Sequence, residues 1–214
     1  MMAKKVLIVK NMAHEGPGLL ELSLLEHGIA WHYADLSAGD PFPDPRNFPA
    51  LVVLGGHQSA NDKTSSMQLE IRRIEEALGE EIPYLGICLG IQTLVKAGGG
   101  TVVKASCKET GFIDPQGNPY RVELTEAGKS DPLFKGLGST LDVFQLHGER
   151  VELAPSGMEL LATGSGCRNQ AVRVGKNGYG LQCHFELTRK MFESWCRIDP
   201  DYKETGSLGN IVVG

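Results

Sequence analysis

The chain has 214 residues, of which 41% are hydrophobic and 22% are charged, values typical of a folded globular domain. A chain of this length can bury a hydrophobic core without disulfide cross-links, so a small disulfide-dense scaffold is excluded. The formal net charge is −5, because 26 acidic side chains outnumber 21 lysines and arginines. Nothing here resembles the basic surface of a nucleic-acid-binding protein, and we expect no nucleic-acid partner.

The cysteines and the apolar segments indicate the cellular compartment in which the protein is expected. Five widely spaced cysteines with no C-x-x-C pair favour neither a disulfide framework nor a zinc site. We therefore expect a reducing, cytoplasmic environment, with no metal and no cofactor. The N-terminal residues are too poor in apolar positions for a signal sequence, and no apolar run reaches membrane-spanning length, so neither export nor a membrane partner is expected.

The first hundred residues alternate between short apolar strands and helices. Strands are predicted at 5–9, 29–36, 51–54 and 82–87, and helices at 17–28, 67–78 and 89–97. Five leucines are expected to form the buried stripe of the first helix. Charged residues, Glu70 among them, are expected on the solvent faces of the second. This alternation predicts an α/β fold with a doubly wound, mostly parallel central sheet flanked by helices.

The second half consists of short strand-like segments separated by turn residues. These segments are 120–125, 141–146, 171–174 and 180–184, and a final helix is predicted at 188–196. We expect them to extend the same sheet and to add a smaller antiparallel one. The prediction is a single domain over residues 1–198, with residues 199–214 as a C-terminal tail of unassigned structure.

Cys88 lies where a predicted strand turns into a helix, with Gly86 and Gly90 two residues away on either side. This is the nucleophile-elbow pattern with cysteine in place of serine, and so tight a turn leaves no room for side chains at the two glycines. A helix N-terminus also favours the thiolate, the form that attacks carbonyl carbons. The alternative is a buried structural cysteine between packing glycines.

A cysteine nucleophile needs a base, and His184 is the strongest candidate of six histidines. Strand alternation places His184 and Glu186 on one face, where the carboxylate would orient the imidazole, and turns Cys183 the other way. A metal site of these three residues is disfavoured for that reason. The simpler alternative is a core histidine beside a surface glutamate. His147 is a weaker candidate base, because the glycine after it is expected to begin a turn and leave no carboxylate on its strand.

Gly55 and Gly56 follow a buried parallel strand, at the edge where the active sites of open α/β sheets gather. A backbone amide at this position, together with that of Leu89, would be placed to form an oxyanion hole. Taken alone, a glycine pair is more often a simple turn.

The three motifs together, in this order, resemble those of the class I glutamine amidotransferases, most closely the stand-alone members related to the amidotransferase domain of GMP synthetase. The resemblance extends to residue 195 and includes the segments 14–18, 131–134, 144–148 and 169–171. It implies a flavodoxin-like fold and a catalytic triad of Cys88, His184 and Glu186. It further implies an oxyanion hole formed by Gly56 and Leu89. The residues it implies as substrate contacts are Gln92, Gln145, Leu146 and His147.

The chain departs from the family pattern at Cys183, Phe185 and His57, where the family commonly has Phe, Pro and Pro. The expected activity is hydrolysis of the glutamine side-chain amide through a Cys thioester. Because no Walker-type loop is present and the length leaves no room for a synthetase domain, the ammonia is expected to serve a separate synthetase or other acceptor enzyme. A self-contained γ-glutamyl amide or peptide hydrolase, and a redox sensor on the same scaffold, are the alternatives.

Overall fold

Two β-sheets organise the protein, whose computed structural model describes residues 5–198. In chain order the strands are β1 (Val6–Lys10), β2 (Trp31–Asp35), β3 (Leu51–Val53), β4 (Tyr84–Ile87), β5 (Thr101–Gly111), β6 (Arg121–Leu124), β7 (Thr140–Asp142), β8 (Gln145–Glu152), β9 (Met158–Gly164), β10 (Ala171–Val174) and β11 (Gly178–Leu181). The α-helices are α1 (Leu19–Glu26), α2 (Ser65–Gly79), α3 (Leu89–Ala97), α4 (Glu126–Ser130) and α5 (Arg189–Ile198).

The main sheet has nine strands in the order β2-β1-β3-β4-β11-β10-β9-β6-β7. The first five of these run parallel, and the remaining four extend the sheet by antiparallel pairing. The smaller sheet is the antiparallel pair β5 and β8. The predicted α/β fold, with a parallel centre, flanking helices and a small antiparallel sheet, is therefore confirmed.

The parallel strands are covered on both faces, as their unbroken apolar sequences require. In β1, Leu7 and Val9 join the cluster that packs against α2 and α3, whereas Ile8 joins a second cluster with Leu24 of α1. This layering fixes the carboxyl ends of β3, β4 and β11 side by side, and those ends hold the candidate site. Within residues 5–198, no helix has both the length and the apolar character needed to cross a bilayer.

Several elements differ from their predictions. Strands β5 and β9 were not predicted, and the strand expected at 141–146 is two strands in different sheets, broken at Val143 and Phe144. The strand expected at 180–184 ends at Leu181. In α1 the expected buried stripe is wrong, because Leu19, Leu22 and Leu25 are exposed. The tail predicted at 199–214 lies outside the described residues.

Glu70 also differs from its prediction, because it is only 2% exposed, on the inner side of α2. The Asn11 side chain donates a hydrogen bond of 3.4 Å to its carboxylate and another to the Leu54 carbonyl. Burial raises the pKa of Glu70 to about 7, and the hydrogen bond from Asn11 lowers it by less.

Candidate active site

Cys88 is the single residue between β4 and α3, and its backbone has a φ of +53°. A positive φ is costly for a side chain with a Cβ, so the surrounding structure must enforce it. The two flanking glycines allow that geometry: a Cβ at Gly86 would collide with the Gly90 backbone, and a Cβ at Gly90 with the Val53 carbonyl. The predicted elbow is therefore present, with α3 beginning directly after Cys88.

Cys88 is 7% exposed, and its thiol lies between a hydrogen-bond donor and an acceptor. It donates to the Leu146 carbonyl oxygen at 3.5 Å, and the Gln182 side-chain amide donates to Sγ at 3.8 Å. Gln182 is fully buried, and its role was not predicted from the sequence. The sequence did contain a signal for this contact. Gln182 lies two residues before His184, and alternate residues of an extended segment point to the same side, so both side chains could have been expected to face Cys88.

His184 and Glu186 follow the end of β11, in the irregular segment that leads to α5. The Nδ1 atom of His184 is 2.8 Å from Oε1 of Glu186, and both residues are buried. The His184 backbone amide donates to the Phe144 carbonyl at 3.0 Å, while its ring meets the Trp195 ring edge-on. The expected imidazole–carboxylate contact thus exists, although a turn rather than strand alternation forms it.

The remaining nitrogen of His184, Nε2, has no hydrogen-bond partner in the described part of the chain. Burial alone lowers the pKa of His184, but the Glu186 carboxylate and then the Cys88 thiol oppose burial and hold the pKa well above its ordinary value. With Nδ1 donating to Glu186, Nε2 is the nitrogen available for proton exchange with Cys88 or a substrate.

A cleft of about 480 Å³ opens at Cys88. Its lining includes several residues expected at the site, namely Gly56, Gln92, Leu146 and His147. Gly56 approaches Leu89 closely, since a Cβ at Gly56 would lie 2.9 Å from the Leu89 side chain. The Leu89 amide is at the first turn of α3, where backbone N–H groups lack intrahelical acceptors. Gln145 is only 1% exposed and does not line the cleft, so we leave it out of the proposed substrate contacts.

His147 has a different environment from His184. Both of its ring nitrogens are engaged: Nδ1 donates to the Glu149 carbonyl at 3.0 Å, and Nε2 is 2.9 Å from Oε2 of Glu109. The expectation that a turn begins after His147 is wrong, because β8 continues to Glu152. The carboxylate that contacts His147 belongs to Glu109 of β5, the strand that pairs with β8.

Glu109, His147 and Cys167 form a buried cluster. The side-chain atoms with which they could bind a metal ion lie within 4.8 Å of one another. It was missed in the sequence, because its members come from three separate segments. Gln170 also donates to Oε2 of Glu109 at 3.2 Å, so this carboxylate oxygen contacts both His147 and Gln170. Burial raises the pKa of the Cys167 thiol to about 11, which keeps that thiol protonated.

Two of the three departures from the family pattern, Cys183 and Phe185, flank His184 in sequence. Cys183 and Phe185 line a separate apolar cavity of about 340 Å³, to which Cys88 and His184 do not contribute. Burial raises the pKa of Cys183 to about 12. His57 is exposed on the cleft lining.

Comparison with known proteins identifies the family. Residues 25–195 match the family model described as glutamine amidotransferase class-I. The chain belongs to the class I glutamine amidotransferases. The resemblance recognised in the motifs is thereby confirmed, and with it the general class of activity.

The curated relatives include an amidotransferase-like protein and GMP synthases. The glutamine amidotransferase-like protein YfeJ of Salmonella typhimurium is 32% identical over 78% of this chain and 70% of its own length. One subunit of the glutamine-hydrolysing GMP synthase of Methanothermobacter thermautotrophicus is 32% identical over 65% of this chain and 66% of its own length. Against the GMP synthase of Thermosipho melanesiensis, at 31% identity, this amidotransferase spans only 34% of the relative.

Solved amidotransferases share the fold. A glutamine amidotransferase from Thermotoga maritima superposes with a TM-score of 0.83 at 29% identity, covering 95% of this chain and 85% of that one. One from Methylobacillus flagellatus gives a TM-score of 0.82 at 30% identity, over 92% and 76% of the two chains.

Proposed function

We propose that this amidotransferase hydrolyses the side-chain amide of glutamine to glutamate and ammonia, with Cys88 as nucleophile, His184 as acid and base, and Glu186 as its orienting carboxylate. The observation that carries the proposal is the free Nε2 of a buried His184, whose Nδ1 is held by Glu186, beside a cysteine in a strained elbow. Each part matches what an activated cysteine nucleophile requires.

In the acylation step, the proton shared by Cys88 and His184 resides on Nε2 of His184, and the Cys88 thiolate attacks the amide carbon. The positive end of α3 and the Gln182 amide favour the thiolate. The amide oxygen takes the negative charge and is stabilised by the backbone N–H groups of Gly56 and Leu89. The C–N bond then breaks, His184 returns its proton to the leaving nitrogen, and ammonia departs from a γ-glutamyl thioester.

Deacylation uses the same groups in reverse. Neutral His184 removes a proton from water, the resulting hydroxide attacks the thioester carbon, and the C–S bond breaks. Glutamate leaves, and the Cys88 thiolate beside protonated His184 is restored. Glu186 keeps Nδ1 protonated through both steps, so that Nε2 alone exchanges protons.

The remainder of the proposal concerns the fate of ammonia. The Methanothermobacter relative is named as one subunit of a GMP synthase, and this amidotransferase matches about two thirds of it. We infer that the ammonia passes to a separate acceptor enzyme. A self-contained γ-glutamyl hydrolase using the same triad is the alternative.

Ammonia release from glutamine and from a panel of γ-glutamyl amides and peptides tests the proposal. Wild-type protein should release ammonia from glutamine, and Cys88→Ala should release none while its circular dichroism spectrum stays unchanged. Cys107→Ser is the matched control, because Cys107 is exposed and outside the cleft lining. Full activity of Cys88→Ala would overturn the assignment. Faster hydrolysis of γ-glutamyl peptides than of glutamine would favour the alternative substrate class.

A further inference from the structure

Glu15 lies in the segment between β1 and α1, and nothing in the mechanism above uses it. It is 6% exposed, and its Oε2 atom has no hydrogen-bond partner within residues 5–198. A buried carboxylate oxygen without a hydrogen-bond partner is costly, so its retention at this place calls for a reason.

The unpartnered oxygen of Glu15 faces the catalytic imidazole. A Cβ built on Gly55 would collide with Oε2 of Glu15 and would lie 3.3 Å from Cε1 of His184. The carboxylate oxygen and the Cε1 edge of the ring therefore flank the same small space, which is open only because residue 55 is glycine.

The segment that carries Glu15 is fastened to the triad. The Leu19 amide donates to the Glu186 carbonyl at 2.8 Å, and the Trp195 indole donates to the His14 carbonyl at 3.3 Å. Gly18, with a φ of +52°, packs so closely that a Cβ there would collide with the Glu186 carbonyl oxygen. Glu15 is thus held in register with His184 and Glu186.

We propose that Glu15 is a positioning residue for the reaction, placing a second carboxylate at the Cε1 edge of His184 beside Glu186 at Nδ1. The inference rests on the proposed function. The positive charge of an imidazolium is shared by both nitrogens and the Cε1–H between them, so a carboxylate at that edge stabilises the protonated ring. The buried setting strengthens the attraction. His184 must hold that proton until ammonia departs.

The groups that face His184 come from three segments. Cys88 is at the β4–α3 elbow, Cys183 and Glu186 belong to its own segment, and Glu15 comes from the β1–α1 segment. The rings of Phe144 and Trp195 meet the His184 ring edge-on. The pKa of Glu15 lies above its ordinary value: burial is the largest cause, His184 lowers the pKa by less, and Glu186 raises it. The two carboxylates and the imidazole therefore form one electrostatic unit.

The pH dependence of kcat/KM for glutamine hydrolysis tests the role. Its basic limb reports loss of the His184 proton in the free enzyme, so Glu15→Gln should move that limb to lower pH by about one unit or more. The KM should change little, because Glu15 does not line the cleft. Glu15→Asp keeps the charge and should return the limb toward wild type, whereas Glu75→Gln, on the exposed side of α2, should leave it unmoved.

NMR titration of the His184 Cε1–H in isotope-labelled protein gives a readout that needs no turnover. A lower titration midpoint in Glu15→Gln than in wild type supports the inference, even if wild-type protein releases no ammonia and the proposed function fails. Coincident midpoints and coincident basic limbs in wild type and Glu15→Gln would overturn it, as would an Asp variant as shifted as the Gln variant.

Discussion

His147 and Glu109 form a second imidazole–carboxylate pair, with Nε2 and Oε2 separated by 2.9 Å. What distinguishes this pair from His184 and Glu186 is the other ring nitrogen. Nδ1 of His147 donates to a backbone carbonyl, whereas Nε2 of His184 is unpartnered in the described part of the chain. Of the two histidines, His184 is therefore the one with a nitrogen available for proton transfer.

The first prediction separates the two histidines. His184→Gln should lower kcat by about 10²- to 10⁴-fold, the range attributed to general acid–base catalysis. His147→Gln should retain turnover but lose about 1–3 kcal/mol of unfolding free energy, because a buried hydrogen-bond network is disturbed. Steady-state kinetics with urea unfolding of both variants checks this. Loss of chemistry in His147→Gln alone would reverse the assignment.

A second prediction concerns the elbow. Gly90→Ala should destabilise the protein by about 1–3 kcal/mol, because its Cβ would collide with the backbone carbonyl of Val53 rather than with a movable side chain. Gly79→Ala is the matched control, since nothing lies within 4 Å of a Cβ there. Thermal unfolding should show a lower Tm for the first variant and an equal or higher Tm for the second. Equal Tm values for Gly90→Ala and wild type would refute the packing argument.

Local signals explain what the sequence could predict. Helix α3 begins and ends as predicted, because the signals for both ends are local: the elbow at Cys88 directly precedes it and Gly98 directly follows it. The triad of Cys88, His184 and Glu186 could also be proposed from the sequence, since its motifs are short and ordered.

What escaped prediction depends on distant partners. Strand β5 carries an irregular register between Lys104 and Glu109 that hides its alternation, so the contact of Glu109 with His147 was invisible. Glu15 is aligned with His184 only by the fold. Glu70 has the spacing of a solvent-facing residue, yet it packs inward to meet Asn11.

A third prediction uses Glu70. Its pKa in the folded protein, about 7, is above the ordinary value of 4.5. Between these values the unfolded chain gives up the proton first, so the contribution of Glu70 to stability falls as pH rises from about 4.5 through 7. At about 1.4 kcal/mol per pKa unit, the ionised carboxylate costs up to about 3 kcal/mol at alkaline pH.

Replacing Glu70 by Gln removes that cost while the side chain can still accept from Asn11. Urea unfolding should therefore show Glu70→Gln gaining stability relative to wild type as the pH rises from about 5 to about 8, the range in which Glu70 loses its proton. Glu75→Gln, the exposed control on the same helix, should show no such trend. A stability difference between Glu70→Gln and wild type that is independent of pH would contradict the prediction.

A fourth prediction concerns substrate charge. Lys104 and Lys108 line the cleft and form no ion pair within residues 5–198, so we expect them to attract the α-carboxylate of glutamine. Because exposed pairs contribute about 0.2–1 kcal/mol, Lys104→Gln and Lys108→Gln should each raise KM by up to about fivefold with kcat unchanged. Lys63→Gln, outside the cleft lining, is the control. A fall in kcat at constant KM would contradict a role for these lysines in binding the substrate.

The central claim is that Cys88 carries the γ-glutamyl group during turnover. Acid-quenched reactions of wild-type protein with glutamine, digested and analysed by mass spectrometry, test it most directly. We predict a γ-glutamyl adduct on the peptide containing Cys88, increased in a His184→Gln background treated with an activated γ-glutamyl ester, and absent from Cys88→Ala. An adduct on a different cysteine, or ammonia release by Cys88→Ala at the wild-type rate, would contradict the account.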